Sequence, residues 1–555
     1  MTEKLQRALR SKNIYFYFSI PLIIYAVYVI CGIIFHTITD AGIPNEYREC
    51  ANVLMTMEFI KGNNPYSLDA LKGDLPPMIY LYGPLYSLVT AGIGSVLGLL
   101  RIPFDIVGIH YFITFLCIII SAALAFKMVY DETGSFTFGL GAFVFLINCS
   151  WRYNYVNAVP DCMGLAIMML ILFILTKRKM RGSEILVAAL TVLIFFTKQY
   201  YLLIAGTVTG FLFIFRGIKS TAKYLACLAG FFILTALLIQ WQCPLFWTYT
   251  LYLAKGPGVG VARTVTRGAV KISGTQYNIQ QIMSLGGIFL MFFVTEAAGC
   301  IYFLKSFIKE IPGHNIMKDG WEPLLRKTGV STFDALMLMH MCVAGICLTY
   351  LGRNDGAWLS YYLELFMPAL IMGALSLFDK LAKKATGRKM MVAFAVYFVI
   401  FMGFTAFRAS GRLPVSPLSE EDHREWEAAE NLLDQNPGDM YLYPHLAYYG
   451  INNDIYIYNT GQPFVVSEKF YKSYHKHPEK MEKYPYAEDI FTSHFAYREK
   501  IRDRVRNGEY SVVSYVEGTD EVFTREDLSA FYRPAATCAL RTGRQVWDTE
   551  LWIRK

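Results

Sequence analysis

Apolar and polar positions along the chain fall into long blocks, not into the short alternations of a soluble protein. Predominantly apolar runs lie near 14–36, 78–100, 104–127, 135–150, 158–176, 183–197, 200–215, 221–240, 283–305, 332–351, 357–378 and 388–407. A helix needs about 20 such residues to cross the hydrocarbon core of a bilayer, somewhat fewer when its ends are aromatic. After Phe407 the pattern changes to charge, tyrosine and histidine with no spanning run. The predicted fold class is mostly α: a polytopic transmembrane helical domain over 1–407, then a small extracytoplasmic α/β domain over 408–555. Within that second part, 419–434 reads as a helix with Ser419 as its cap and Glu420 and Glu421 in the first turn. MYLYP at 440–444, DIYIYN at 454–459 and YSVVSYV at 510–516 read as strands, and the end as a hairpin over Thr542-Gly543-Arg544.

Basic clusters between the runs set a direction. They are Lys4 to Lys12, KRKMR at 177–181, RGIKSTAK at 216–223, the loop 305–330 and KLAKKATGRK at 380–389. The positive-inside rule places them in the cytoplasm, with the N-terminus, and places 408–555 outside. Twelve full crossings would break that parity, so either one run does not cross or a thirteenth crossing exists. The run at 78–100 is the weakest, with Pro76, Pro77, Pro84 and several glycines. We expect it to be re-entrant or to lie along the outer interface, which gives eleven spans. Irregular backbone at that depth requires protein or a wet cavity around it. The long segment 241–282 is expected to be an outer loop.

Composition agrees: 54% of residues are hydrophobic, 17% are charged, and mean hydropathy is +0.34. The net charge of +8 lies mostly in the short basic clusters, which report membrane orientation rather than nucleic-acid binding. The 11 cysteines are scattered and form no CxxC pair, against structural zinc or a disulfide framework. The first apolar run is too long for a signal-peptide core and is expected to be retained.

Candidate chemistry gathers at the predicted outer face. Asp40, Glu46 and Glu49 follow the first span, in a stretch that turns through Gly62-Asn63-Asn64-Pro65. Asp161 opens a span in NAVPDCMG, after Arg152, and an acid there is costly unless it faces a cavity. A helix N-cap carboxylate is the plainer reading of the same residue. Lys198 in TKQYY could snorkel to headgroups or hold a phosphate as a point charge. Arg353 sits in the Gly-flanked turn GRNDG, where guanidinium and backbone amides suit a phosphate. Glu364 is expected to pair within the bundle, and His340 to be a satisfied core histidine. No Walker loop, dinucleotide GxGxxG, GxSxG elbow or HExxH is present.

Taken in order, NEYRECA, GNNPY, YGPLY, VPDCMG, TKQYY and GRNDGAWLSYYLE resemble the GT-C superfamily of membrane glycosyltransferases, of the family-39/mannosyltransferase-like type. The resemblance covers roughly 14–408. It implies transfer of a sugar, hexosyl or pentosyl, from a polyprenyl-phosphate donor to a glycan, lipid or polymer acceptor at the outer membrane face, with inversion. It implies an essential first-loop acid, for which Glu46 is the nearest match and Asp40 the second, and a span-opening acid, matched by Asp161. Lys198, Arg353 and Arg152 would stabilise the departing lipid phosphate. The acids leave a divalent metal open, without assigning one. A lipid-diphosphate-dependent ligase or polymerase and a secondary transporter are the alternatives; the transporter predicts inverted repeats, which the sequence does not show.

Overall fold

The apolar runs fold as helices whose ends are set by local chemistry. The helix Ile106–Thr133 starts where the Asp105 carboxylate accepts the backbone N–H groups of Val107 (3.0 Å) and Gly108 (2.9 Å). It stops at Gly134, whose φ of 69° suits a residue without Cβ. Thr332–Leu351 begins with a reciprocal capping box between Ser331 and Asp334.

The computed structural model describes residues 13–40, 42–45, 49–72, 80, 82–152, 157–177, 182–252, 264–267, 270–310, 324, 327–353, 359–384, 418–458, 476, 479, 484–517, 522–543 and 545–555. Its helices in chain order are α1 Asn13–Thr39, α2 Glu49–Ile60, α3 Leu85–Leu99, α4 Ile106–Thr133, α5 Phe136–Arg152, α6 Asp161–Thr176 and α7 Ser183–Thr197. There follow α8 Ile204–Arg216, α9 Ile218–Gln242, α10 Gly274–Glu310, α11 Thr332–Leu351, α12 Leu359–Leu365 and α13 Met367–Lys384. Beyond them lie α14 Glu420–Asp434, α15 Ala447–Asn452, α16 Ala487–Arg506 and α17 Arg525–Phe531. Among the described residues five helices are long and apolar enough to cross a membrane, and shorter apolar helices stand beside them. The run expected at 388–407 lies outside the described residues.

Among the described residues the run at 78–100 holds α3, about 22 Å long against a hydrocarbon core of ~30 Å. Two expectations change. The run at 357–378 is two helices broken at Phe366, because Pro368 has no N–H to donate and fits only the first turn of the second. The segment 241–282 contains an antiparallel hairpin, β1 Thr264–Arg267 with β2 Val270–Ser273, and the first turns of α10. Apolarity marked only the later part of that helix; its polar start, Gly274 to Gln281, continues the same spiral.

The C-terminal part builds a four-stranded sheet in the order β3-β4-β6-β5, from Met440–Tyr441, Val512–Tyr515, Gln545–Arg554 and Tyr532–Thr542. β3 pairs parallel to β4, and the other pairings are antiparallel. The hairpin turns through Gly543 at φ 54°, and Ser419 caps α14 in a capping box. Over the described residues 454–458 the strand expected at 454–459 does not form: Asp454 takes a left-handed φ of 55°, which ends α15 in a turn.

The first loop is wedged between the two parts. Ile43, Cys50 and Leu54 share a core with Trp426, Leu433, Met440 and Leu551. Ala51, Met55 and Tyr66 share another with Phe195, Phe246, Ile490 and Phe491. Each large side chain so buried stabilises by roughly 1.5–3 kcal/mol, so the C-terminal part is locked to the helical body through this loop.

Helix-end contacts sort the body into two poles. At one, Asp131 takes Lys127 and Lys177, Lys380 bonds Glu132 and Asp334, and Glu184 faces Arg216 (3.7 Å) and Lys223 (3.8 Å). The other carries the first loop, the sheet and the start of α6.

Candidate functional site

At the second pole a short extended link joins α7 to a 3-10 turn, Gln199–Leu203. Lys198 occupies that link (φ −156°, ψ 121°), so its side chain leaves the helix direction and enters the bundle. Its ammonium donates to Asp161 Oδ1 at 2.5 Å, with the two side chains only 4% and 9% exposed. Three tyrosine rings surround the ammonium: Tyr200 at 4.7 Å, Tyr82 at 5.0 Å and Tyr361 at 5.6 Å. Such contacts are worth up to about 2 kcal/mol each when desolvated.

A second carboxylate completes the cluster. Glu364 on α12 accepts the hydroxyls of Tyr200 (2.5 Å) and Tyr201 (2.9 Å) and interacts with Asp161. Tyr201 also meets the Asp161 carbonyl, at 2.9 Å. One buried cation therefore serves two buried carboxylates.

Two motif glycines make this packing possible. A Cβ on Gly83 would fall 1.8 Å from the Phe196 carbonyl oxygen, so YGPLY can lie against the end of α7 and lay Tyr82 over Lys198. A Cβ on Gly164 would fall 2.3 Å from the Tyr201 ring, so VPDCMG leaves room for that tyrosine. Asp161 is the first residue of α6, after Pro160, and its carboxylate is turned to Lys198.

Arg353, at the end of α11, is half-buried. Its Nε has no hydrogen-bond partner among the described residues, and neither do Tyr362 Oη and Asn278 Oδ1. The latter two stand over neighbouring Gly352, where a Cβ would meet them at 2.3 Å and 2.5 Å. Tyr362 is one residue from Tyr361 on α12, so that helix links this group to the lysine cage.

Asp40 is buried, and its Oδ1 lies 3.3 Å from His423 Nε2 on α14. Arg152 is the last residue of α5, and its side chain lies outside the described residues, as does the whole of Glu46. His340 is satisfied between Thr207 (3.0 Å) and the Leu365 carbonyl (2.8 Å), as expected. Among the described residues no three His, Cys, Asp or Glu side chains gather as metal ligands.

Glu49 was passed over for its neighbour Glu46. It opens α2 fully buried and accepts the hydroxyls of Tyr111 (2.9 Å) and Tyr448 (2.7 Å). Tyr448 comes from the C-terminal part. Burial first, and the Glu49 charge second, hold its hydroxyl well above the usual phenol pKa, so it stays a donor. Glu364 and the tyrosine cage were also missed as a group. The doubled tyrosines of TKQYY and LSYYLE, each beside a charge, were the available signal.

No family model and no curated protein sequence matches the chain. Solved structures do. The chain is similar to ArnT from Cupriavidus metallidurans in the apo state, at TM-score 0.52 and 11% identity over 95% of this chain and 97% of that one. The same protein bound to undecaprenyl phosphate compares at TM-score 0.49, with 12% identity over 95% and 97%. An Archaeoglobus fulgidus oligosaccharyltransferase tethered with an acceptor peptide compares at 0.46, with 12% identity over 91% of this chain and 69% of that one. Only the first of the three passes 0.5. It shows that the chain shares the fold of that protein.

Proposed function

We propose that the chain is a membrane glycosyltransferase that moves a sugar from a polyprenyl-phosphate donor to an acceptor hydroxyl at the outer membrane face. The observation that carries this reading is the Lys198–Asp161 pair, buried in a tyrosine cage with Glu364, at one pole of a GT-C fold. The basic ends gather at the opposite pole, which by the positive-inside rule faces the cytoplasm. The caged pole and the sheet then face outward.

In the reaction the acceptor oxygen bonds the anomeric carbon as the bond from that carbon to the phosphate oxygen breaks. The bonding pair leaves with the lipid phosphate, and a single displacement inverts the centre. Lys198 has three N–H donors, of which Asp161 takes one; it stabilises the departing phosphate, with Arg353 as a second cation. Fixed charge aimed at developing charge is often the largest catalytic contribution. Asp161 holds Lys198 charged and oriented. The acceptor proton goes to a first-loop carboxylate, assigned to Glu46 by the sequence resemblance. A general base contributes about 10²–10⁴-fold.

The test is transfer from a labelled polyprenyl-phosphate sugar by purified protein in lipid nanodiscs. Glu46→Gln is expected to lose roughly a hundredfold or more in turnover with donor binding kept. Asp40→Asn is expected to retain turnover. The opposite result moves the base to Asp40. Activity in both variants removes Glu46 and Asp40 from the mechanism.

A further inference from the structure

An open groove of about 820 Å³ runs between the end of α2, the turn after it, the last turn of α9 and the segment following α15. That size lies within the range of small-ligand sites, about 300–1,000 Å³, and domain boundaries are a preferred place for them. We infer that this groove receives the neutral saccharide part of the acceptor. The inference rests on the glycosyltransferase reading above.

The lining chooses the ligand class. Its ionised groups are Glu58, Asp69 and Asp454 against Lys61 and Lys72, one acid in excess, and Lys72 is already paired with Asp69 at 3.2 Å. A phosphate or an anionic headgroup gains nothing from that balance. Asn63 and Gln242 line the same wall with amides that both donate and accept, which disfavours an acyl chain, while the Asn64 amide is held by the Gln242 carbonyl and the Tyr66 N–H. Trp241, 76% exposed, stands at the mouth, and Tyr456 and Tyr80 contribute to the walls. Flat aromatic faces beside amides and carboxylates match a sugar ring, apolar on its C–H face and hydroxylated at its edge.

The groove also points at the chemistry. Tyr80 lines it, and two residues later Tyr82 covers the Lys198 ammonium. Tyr66 ties the two together by donating to the Tyr82 carbonyl at 2.7 Å while packing on Tyr80. A saccharide lying in the groove therefore has one end directed toward the caged lysine.

The experiment measures binding of short neutral hexose and N-acetylhexosamine oligosaccharides to full-length protein in nanodiscs by saturation-transfer NMR, with inorganic phosphate as the competing probe. At least one oligosaccharide is expected to bind. Trp241→Ala changes an exposed side chain and Glu58→Ala a half-buried one, and each is expected to weaken that binding roughly tenfold, while Lys177→Ala leaves it unchanged. Equal binding in all the variants overturns the inference, as does binding of phosphate without any sugar. Groove-dependent sugar binding by a protein that discharges no polyprenyl-phosphate sugar supports the groove as a saccharide site and overturns the transferase reading instead.

Discussion

Both poles of the helical body hold lysine–carboxylate pairs, yet the Asp131 pairs at one and the Lys198–Asp161 pair at the other are built differently. At the basic pole, Lys177 and Lys127 meet Asp131 with side chains 31–51% exposed, and they link helix ends. At the other pole, Lys198 and Asp161 are almost sealed, ringed by tyrosines and joined by a second carboxylate. Exposed pairs are worth about 0–1 kcal/mol. Buried pairs repay their desolvation poorly, and replacing both members with apolar groups is often neutral. Stability alone therefore does not explain a buried pair at this place, whereas the role proposed for it would.

The sharpest way to break the comparison is to remove one member of each pair. Lys198→Ala leaves Asp161 buried and uncompensated, which should cost roughly 3–5 kcal/mol of stability by denaturant titration and abolish transfer. The double variant Lys198→Met/Asp161→Asn separates the two effects: it should recover most of the stability and none of the transfer. Glu364→Gln comes next. It keeps shape but puts an amide NH2, which cannot accept, in place of one carboxyl oxygen beside Tyr200 and Tyr201, and turnover should fall about tenfold to a hundredfold, a loss of ~1.5–3 kcal/mol. Turnover equal to the native protein would leave Glu364 a structural acid.

Tyr448→Phe is smaller again. It removes one donor from buried Glu49 and should cost about 1–3 kcal/mol of stability, read as a lower thermal midpoint. An unchanged midpoint would mean that the C-terminal part is not latched through that hydroxyl. The smallest effect belongs to the basic pole: Lys177→Ala should change stability by less than about 1 kcal/mol and transfer hardly at all.

The sequence displayed one half of this comparison better than the other. Apolar runs located most helices because burial in lipid demands a long unbroken stretch, and Thr332–Leu351 matches its run end to end. Helices that outrun their apolar run were underread, as with the polar start of Gly274–Glu310. Asp161 and Lys198 were each legible as costly charges, but nothing local says that they meet 37 residues apart in the chain. Glu364 was legible only as a buried acid in need of partners; its tyrosines lie 163 and 164 residues away. Glu49 was hidden by its neighbour, since a motif fixes attention on one acid and the fold buries the other.

The most direct test of the central claim is the rate of sugar release from a labelled polyprenyl-phosphate donor, measured side by side for three purified, folded proteins. The native chain and Lys177→Ala should release sugar at equal rates, and Lys198→Met/Asp161→Asn should fall by roughly a hundredfold or more. Equal rates in all three would show that the caged pair is no more than a structural ion pair, and would contradict the assignment of the site.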